Sequence, residues 1–508
     1  MTENHQFSSQ DTSVVGIEKH QRNTNMDPKS ENLHLINPFV HKMELIDPLD
    51  KVKTAVFTVL LLPFRVFVIC LLLLLAWFLA CIGLYGLTEE DLRSRPMKGW
   101  RRTIQIMTAA VMRFLFMAGS FHRVQFKGDW APPKEAPILV VAPHSSFFDS
   151  IVVVLLGPPA VVAKAETASL PFFGKLINYT QPIYVWRDDP NSRQNTIKAI
   201  KERANSPEDW PQIIIFPEGT CTNRSCLITF KNGAFYPGVP IQPVCIRYPN
   251  VRDTVTWTWD GPGVLKLLWL TLTQVHSACE IEFLPIYVPS QEEKENAKLY
   301  AHNVRNVMSK ALGLPISDYT YDDCKILTRA KEMNLPFASS IIDIEKLRKS
   351  IGLKETNIDE KPVMLPKYEL DYIEFCQKLE IPQNHSHARK LFSLFDPESS
   401  GVIDFRNYLL CTQFLMKLNQ PLIDLVKSAF EIYQNDSNGV SCEIFYFIIR
   451  HTLGVPDEVI HLIYSQIAKQ SSQELITFDD FAKYARGKAE FSKIFTENVD
   501  SCEKLKQV

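Results

Sequence analysis

The sequence passes from an apolar run to a short polar segment at ILVVAPHSSFFD, residues 138–149. An apolar run of this length, followed by residues typical of a helix start, predicts a buried strand that leads into a helix. In an α/β fold, side chains at the point where a strand ends and a helix begins form the active site. His144 and Asp149 occupy that point, which makes them the first candidates for chemistry.

From Val124 onward, short apolar runs separated by Gly and Pro recur along the chain, with helical stretches such as residues 191–204 between several of them. Strands that alternate with helices predict an α/β domain with a largely parallel sheet, which we expect over residues 125–326. The expected strand runs are Pro137–Ala142, Ile151–Leu156, Ile183–Trp186, Ile213–Phe216, Ile241–Ile246 and Ile281–Tyr287.

The overall composition excludes several classes of protein. The net charge is −2 and 22% of the residues are charged, which argues against a protein that binds nucleic acid. The 11 cysteines are scattered and lack the paired spacing of zinc ligands, which argues against a zinc site and against a disulfide scaffold. Such cysteines indicate thiols that stay reduced in a cytosolic environment.

The N-terminal part of the chain divides into a polar tail and an apolar segment. Residues 1–50 lack sustained apolar periodicity and predict a disordered tail. Val66–Leu87 carries no charge, and about 20 apolar residues are enough to cross the hydrocarbon core of a bilayer. A buried helix of a soluble protein is the alternative. Residues 51–124 are therefore expected to form a membrane anchor and then an interfacial helix at Thr103–Phe121.

Two topologies remain open for this anchor. Basic residues flank the apolar segment on both sides, which weakens an assignment from the positive-inside rule. A single-pass helix is one form, and Pro63, Gly83 and Gly86 would suit a hairpin that enters and leaves the same leaflet.

The last residues, KLKQV at 504–508, resemble a cytosolic retrieval signal of the endoplasmic reticulum. We expect that membrane, with Golgi or lipid droplets as further locations, and a cytosolic active site.

His144 and Asp149 suit general-base catalysis. A histidine with an ordinary pKa of about 6.5 can take a proton from a hydroxyl near neutral pH. A carboxylate five positions later can fold back onto one ring nitrogen and stabilise the imidazolium, so that no covalent nucleophile is needed. The alternative interpretation is structural, because Ser146 and Asp149 have the spacing of a helix capping box.

A second polar segment, FPEGTCTNR at residues 216–224, also follows an apolar run. Glu218, Gly219 and Thr220 in a tight turn offer a carboxylate, backbone donors and a hydroxyl to a phosphate or polar head group. Between the two segments, Arg187 at the end of IYVWR could clamp a phosphate, although a surface salt bridge is an equal alternative. The apolar segment 238–244 is expected to support the core.

In this order, the His144–Asp149 pair, Arg187, FPEGT at 216–220 and VPI at 239–241 resemble the four sequence blocks of the PlsC-like glycerolipid acyltransferases. The continuation CTN at 221–223, with EF-hand-like loops behind it, resembles the lysophosphatidylcholine acyltransferase and lyso-PAF acetyltransferase subgroup. The second block departs from the family, which usually has Gly before the arginine where this chain has QPIY at 181–184.

The resemblance implies an enzyme that moves an acyl or acetyl group from acyl-CoA to the free hydroxyl of a lysophospholipid, lysophosphatidylcholine or lyso-PAF, with no other cofactor required. His144 would be the base and Asp149 its partner. The residues implied in binding the glycerophospholipid are Arg187, Glu218, Gly219, Thr220 and Arg224. Lysophosphatidic acid or glycerol 3-phosphate is the alternative acceptor. An inactive membrane scaffold that responds to calcium is the alternative from another class, and the intact motif residues argue against it.

The C-terminal part of the sequence predicts an all-α, degenerate EF-hand module over residues 365–490, after a linker at 327–364 and before a tail at 491–508. DPESSGVIDFRN at 396–407 follows the EF-hand order of oxygen ligands, with Gly at position 6, but position 12 is Asn instead of Glu. A second loop from Gln434 and a third from Lys469 are poorer. Weak calcium binding is therefore expected, with Asp396, Glu398, Ser400, Val402, Asp404 and Asn407 as the candidate ligands.

Overall fold

The computed structural model describes residues 37–499 except 44, 46, 158, 187–190, 354–367, 436–437 and 470–474. The described residues from Asn37 onward belong to one compact unit. Phe39 is fully buried and its ring lies edge-on to Tyr319. Most of residues 37–43 are thus packed against the domain, whereas the sequence predicts a disordered tail there. A few apolar side chains in a short polar segment give no periodicity that would reveal this.

Within the described residues, four helices precede the first strand: α1 (Pro48–Leu60), α2 (Leu62–Leu84), α3 (Glu89–Ser94) and α4 (Trp100–Ala118). The Asp47 side chain caps α1 by accepting the Leu49 N–H. Leu61 joins α1 to α2 and keeps helical backbone angles, and α2 packs against α4. In this part of the chain, α2 is the one helix long and apolar enough to cross a membrane.

The central sheet has seven strands: β1 (Arg123–Lys127), β2 (Ile138–Ala142), β3 (Ala160–Lys164), β4 (Ile183–Val185), β5 (Ile213–Ile215), β6 (Ile241–Arg247) and β7 (Ala278–Phe283), in the spatial order β1-β7-β6-β2-β5-β3-β4. Neighbouring strands are parallel except β6 and β7. The α/β domain and its largely parallel sheet are confirmed. The central strands are apolar throughout because both faces of the sheet are covered.

The helices of the α/β domain are α5 (Ser150–Leu155), α6 (Phe173–Tyr179), α7 (Ser192–Ala204), α8 (Val264–Leu272), α9 (Gln291–Glu295) and α10 (Ala297–Leu312). The prediction of a strand at Ile151–Leu156 is wrong, because this run forms α5. A short apolar run does not distinguish a strand from a buried helix, and the Ser146 cap in front of it starts a helical turn.

Side chains of β2 alternate between two cores, as the two-residue period of a strand requires. Ile138 and Val140 point into the core shared with α7 and α10, and Leu139 and Val141 point into the core shared with α4 and α5. With both faces filled, the carboxyl end of β2 is the part of this strand that is left open for polar groups.

The remaining elements are helical apart from one short antiparallel ribbon. They share a continuous core that also includes Cys226 and Ile228 of the α/β domain. The described part of the segment predicted as a linker, up to residue 353, also packs into this core through α11 and α12. The elements are α11 (Tyr321–Glu332), α12 (Ile341–Ile351), β8 (Glu369–Asp371), α13 (Tyr372–Lys378), α14 (Ser386–Phe395), β9 (Val402–Asp404), α15 (Phe405–Met416), α16 (Leu422–Tyr433), α17 (Cys442–Leu453), α18 (Asp457–Ala468), α19 (Phe478–Arg486) and α20 (Ser492–Thr496).

Candidate active site

The turn after β2 brings the carboxylate of Asp149 back onto the residues that precede it. Its Oδ2 accepts the Nδ1–H of His144 at 2.8 Å and the backbone N–H groups of Ser145 at 2.7 Å and Ser146 at 3.0 Å. Ser146 in turn caps the short helical turn Phe147–Asp149. The catalytic and capping interpretations of this segment are therefore compatible, because one carboxylate makes both sets of bonds.

Asp149 is fully buried, and its second oxygen is also bonded. Oδ1 accepts the hydroxyl of Tyr248 at 2.6 Å. Burial, together with the charge of Asp149, raises the pKa of Tyr248 well above its ordinary value, so the tyrosine stays protonated and donates. Tyr248 lies one residue beyond β6, and no local motif in the sequence identifies it as part of the site.

His144 has a partly open ring, with 23% of its side chain exposed. The ring packs on Phe216 at 4.4 Å between centroids, and Nε2 lies 3.6 Å from the Sγ of Cys221. Burial by itself would lower the pKa of His144, but Cys221 and the bond to Asp149 outweigh it and raise this pKa well above 6.5. Nε2, which the thiol of Cys221 approaches, is the ring nitrogen that is not bonded to Asp149 and is therefore the one that can take a proton from substrate.

The segment 216–224 folds directly beside the histidine. The carboxylate Oε2 of Glu218 accepts the backbone N–H of His144 at 2.6 Å, and the residue is fully buried. Burial raises the pKa of Glu218 to about 7, against the opposing effect of its backbone hydrogen bonds. A direct contact of Glu218 with substrate stays a prediction, while its geometry supports holding His144 in place.

The next two residues of the segment shape the turn. Gly219 has a φ of 69°, which favours glycine, and a Cβ there would lie 2.9 Å from the Lys231 side chain. The hydroxyl of Thr220 accepts the indole N–H of Trp259 at 3.0 Å and lies 3.6 Å from the Sγ of Cys324. Both substrate-binding assignments stay predictions, since the described contacts of these residues are internal.

Arg224 reaches the site from the end of the same segment. Its Nη2 pairs with Asp253 at 2.6 Å and its guanidinium lies over the Tyr248 ring, 5.3 Å from the centroid. Its Nη1 is buried without a hydrogen-bond partner among the described residues. Tyr248 therefore links the arginine to Asp149, and a donor remains for an anion. Arg187 lies outside the described residues.

Comparisons with known proteins indicate the family of this chain. The model of the Acyltransferase family matches residues 123–247, which include both polar segments. The lysophosphatidylcholine acyltransferase of Drosophila melanogaster is 50% identical over 434 residues, covering 84% of this chain and 81% of that protein. The chain belongs to the lysophosphatidylcholine acyltransferase family. It is an acyltransferase.

Two human members of the family are also similar over most of their length. Lysophosphatidylcholine acyltransferase 1 is 42% identical over 462 residues, covering 88% of this chain and 84% of that protein. Lysophosphatidylcholine acyltransferase 2 is 40% identical over 475 residues, covering 91% of this chain and 85% of that protein. The matched regions extend well beyond the family model, into the C-terminal helices.

The candidate calcium loop comprises residues 396–407, in the C-terminal helical part of the chain. Several of its side-chain oxygens already accept hydrogen bonds or pair with a cation within the protein. Asp396 accepts the N–H of Ser400 at 2.7 Å and of Gly401 at 2.8 Å, and these bonds, led by that from Gly401, lower its pKa. Asp404 pairs with Arg406 at 2.7 Å, and Asn407 accepts the Tyr433 hydroxyl at 3.3 Å.

No cluster of three or more His, Cys, Asp or Glu that could hold a metal occurs in the described residues. A cation within the loop itself, at Arg406, fits a calcium site poorly. The ligand assignments of Asp396, Glu398, Ser400, Val402, Asp404 and Asn407 stay predictions.

Proposed function

We propose that the protein transfers an acyl group from acyl-CoA to the free hydroxyl of lysophosphatidylcholine, with His144 as the general base. The observation that carries this proposal is the 2.8 Å bond between His144 Nδ1 and the buried carboxylate of Asp149. With Nδ1–H held by the carboxylate, the neutral ring has its lone pair on Nε2, which is the form that accepts a proton.

The reaction follows from this arrangement. As the acceptor oxygen attacks the thioester carbonyl, its proton passes to Nε2 of His144 and the new C–O bond forms. The C–S bond then breaks, and the CoA thiolate leaves and takes the proton from the imidazolium. Asp149 stabilises the transient positive charge on the ring, and a positioned base of this kind contributes about 10²–10⁴-fold to the rate. No acyl–enzyme intermediate is needed.

Arg224 is the residue that we assign to the phosphate of the acceptor. Its Nη1 lacks a partner within the described residues, and a buried donor left unpaired is costly unless a ligand completes it. Asp253 and the Tyr248 ring hold the guanidinium next to the histidine and aspartate pair. A phosphate bonded there would place the glycerol hydroxyl of the same lipid near His144.

A panel of acceptors and donors tests this function. Purified full-length protein in lipid nanodiscs is assayed with lysophosphatidylcholine, lysophosphatidic acid and glycerol 3-phosphate, each with acetyl-CoA and with long-chain acyl-CoA. We expect lysophosphatidylcholine to give the highest kcat/KM. A higher value for lysophosphatidic acid or glycerol 3-phosphate would move the enzyme to the alternative acceptor class, and absence of transfer from every CoA thioester would refute the proposal.

The membrane setting is supported by exposed apolar side chains near the site. Trp259, which bonds Thr220, is 56% exposed, and Leu265 on the adjacent α8 is 82% exposed. Tryptophan is favoured at the boundary between headgroups and hydrocarbon, so this side of the domain would face the bilayer. A lysolipid could then reach His144 without leaving the membrane.

We further propose that α2 lies in a single leaflet of the endoplasmic reticulum membrane, with both ends on the cytosolic side. Support comes from contacts along its length: Arg65 donates to carbonyls at 272–275, the Trp77 ring lies 5.5 Å from that of Phe172, and Gly83 faces Tyr179. A helix that crossed both leaflets would draw these parts of the α/β domain into the hydrocarbon.

Protease treatment of sealed microsomes tests the orientation with tags at the N- and C-termini. If both ends lie in the cytosol, both tags are removed without detergent. A tag that survives until detergent is added would support a single-pass helix instead. The retrieval signal at 504–508 lies outside the described residues, and replacing Lys504 and Lys506 by Ser tests whether it determines the location.

For the C-terminal helices we propose a degenerate EF-hand module that supports the enzyme instead of sensing calcium. β9 lies within the loop 396–407 and pairs with β8, and Val440 pairs with Ile476 in the later loops, which is how two hands would face each other. Calorimetry of the full chain should show only weak calcium binding, and activity should be unchanged by chelation. A micromolar site, or activity restored by calcium, would contradict this.

A further inference from the structure

A cavity of about 940 Å³ lies along the outer edge of the sheet, between β4, α3 and α7. Its lining combines two arginines with three aromatic residues: Arg93 and Arg203, and Tyr184, Trp186 and Trp210. The reaction steps described above use none of these groups. The cavity therefore needs a separate explanation.

Both arginines lie against aromatic rings, and Arg93 also pairs with the carboxylate of Glu89 at 3.2 Å. Arg93 lies 5.9 Å from the centroid of Trp186, and Arg203 lies 4.3 Å from that of Trp210 and donates to the carbonyl of Gln181. Burial lowers the pKa of Arg203 to about 10, which leaves it charged at neutral pH. Trp186 is 49% exposed, so part of its indole ring remains open for stacking beside Arg93.

This combination fits a phosphorylated purine nucleotide better than an acyl chain or a peptide. Guanidinium groups recognise phosphates, and an exposed indole offers a face on which a base stacks. Glu202 also lines the cavity, 3.9 Å from Lys198. The two arginines therefore leave the lining with a net positive charge.

The sheet places this cavity at a defined distance from the candidate base. Strand register puts Val140 of β2 and Ile183 of β4 in the same row, so that His144 and Trp186 leave the sheet at the same edge. β2 and β4 are separated by three strand spacings, about 14 Å at the usual spacing of about 4.8 Å. The extended pantetheine arm of coenzyme A bridges a distance of this order.

From these observations we infer that the cavity between β4, α3 and α7 binds the 3′-phosphoadenosine diphosphate head of the acyl-CoA donor. Trp186 stacks on the adenine, Arg93 and Arg203 bind phosphates, and the pantetheine arm runs along the carboxyl edge of the sheet to His144. The inference rests on the proposed use of acyl-CoA and adds the place where its nucleotide is recognised.

Two donors test the site separately from the reaction: acyl-CoA, and the same acyl group on N-acetylcysteamine, which lacks the nucleotide. Arg93→Gln and Trp186→Leu change exposed side chains, and each should raise the KM for acyl-CoA about tenfold, the loss expected for one charge-assisted or stacking contact. kcat and the KM for the lysolipid should not change. With the nucleotide-free donor, the variants and the wild type should be equal.

Arg95→Gln is the matched control, because Arg95 follows the same helix α3, is exposed, and does not line the cavity. Arg95→Gln should leave kcat and the KM values for acyl-CoA and for the lysolipid unchanged. Adenosine 3′,5′-bisphosphate should compete with acyl-CoA in the wild type and much more weakly in Trp186→Leu.

An unchanged KM for acyl-CoA in both variants would overturn the assignment, as would an equal loss with both donors. A raised KM for the lysolipid alone would indicate that the cavity binds the lysolipid head group. That result would also overturn the assignment of the cavity to the nucleotide. A wild-type enzyme that uses the nucleotide-free donor but shows no preference for acyl-CoA would refute the nucleotide site while leaving His144 catalysis intact. Failure of the wild type with every thioester would instead refute the proposed function.

Discussion

Asp149 accepts four hydrogen bonds, from His144, Ser145, Ser146 and Tyr248, and these bonds fix the position of its charge beside the imidazole. Asp149→Asn keeps the shape but removes the charge that stabilises the imidazolium. We expect kcat to fall by about 10²–10⁴-fold, as when the acidic member of a triad is lost. Tyr248→Phe removes one hydrogen bond to Asp149 but keeps the charge of the carboxylate, so the fall in kcat should be much smaller.

The pH profile gives a second readout of the same residue. His144 must be neutral to accept a proton, and its pKa is raised, against the effect of burial, by Cys221 and by the bond to Asp149. Activity should therefore fall as the pH drops through this raised pKa. In Asp149→Asn the pKa of His144 is lower, so the residual activity should persist to a lower pH. If the low-pH side of the activity profile stays in place in Asp149→Asn, or moves to higher pH, the result would contradict the pairing of Asp149 with His144.

Glu218 is expected to act through structure and to make the stability depend on pH. The pKa of Glu218 in the folded protein is about 7, above the ordinary value of 4.5. The contribution of this group to the free energy of unfolding is therefore complete below about pH 4.5 and is lost as the pH rises through about 7, where the buried carboxyl ionises. Glu218→Gln keeps an oxygen for the His144 N–H but carries no charge. The Tm of this variant should exceed that of the wild type at pH 8 by more than at pH 5.

A constant Tm difference across that pH range would mean that Glu218 is not held as a buried acid. Glu218→Ala is the matched comparison for activity, because it removes the acceptor of the His144 N–H altogether. It should lose much more activity than Glu218→Gln. Equal losses would favour a direct contact between the carboxylate and substrate.

At the scale of elements, Arg65 joins α2 to the α/β domain. It is buried and donates to the carbonyl of Leu272 at the end of α8 and to those of Gln274 and Val275 just beyond it. Arg65→Leu should shorten the half-life at elevated temperature without releasing the protein from membranes. Lys53→Gln on the exposed part of α1 is the control and should behave as the wild type. An unchanged half-life in Arg65→Leu would show that this contact does not stabilise the enzyme.

The elements also show what local patterns in the sequence can predict. The run 138–142 and the polar residues after it gave the strand and the His144–Asp149 pair, because both depend on neighbours within a few positions. The run 151–156 lies mostly in α5 and is largely buried, so its sequence is apolar throughout and shows no helical period that would distinguish it from a strand. Tyr248 lies 99 residues from Asp149 in sequence, so only the parallel register of the sheet brings it to the carboxylate.

At the scale of the whole molecule, the C-terminal helices and the α/β domain share one hydrophobic core. Cys226 and Ile228, close to the segment that holds Glu218, lie in the same core as Cys324 and Leu327 of α11. The sequence indicated helices there but not this contact, because hydrophobic patterns show which side chains are buried without showing against what. The shared core explains how a helical module could support the active site without binding calcium.

The most direct test of the central assignment is the activity of His144→Ala in the full-length, membrane-bound protein. Acyl transfer from acyl-CoA to lysophosphatidylcholine should fall by about 10²–10⁴-fold, while expression and membrane association persist. His276→Ala, at an exposed histidine between α8 and β7, is the matched control and should keep full activity. Retention of more than about a tenth of wild-type turnover in His144→Ala would contradict the assignment of His144 as the base.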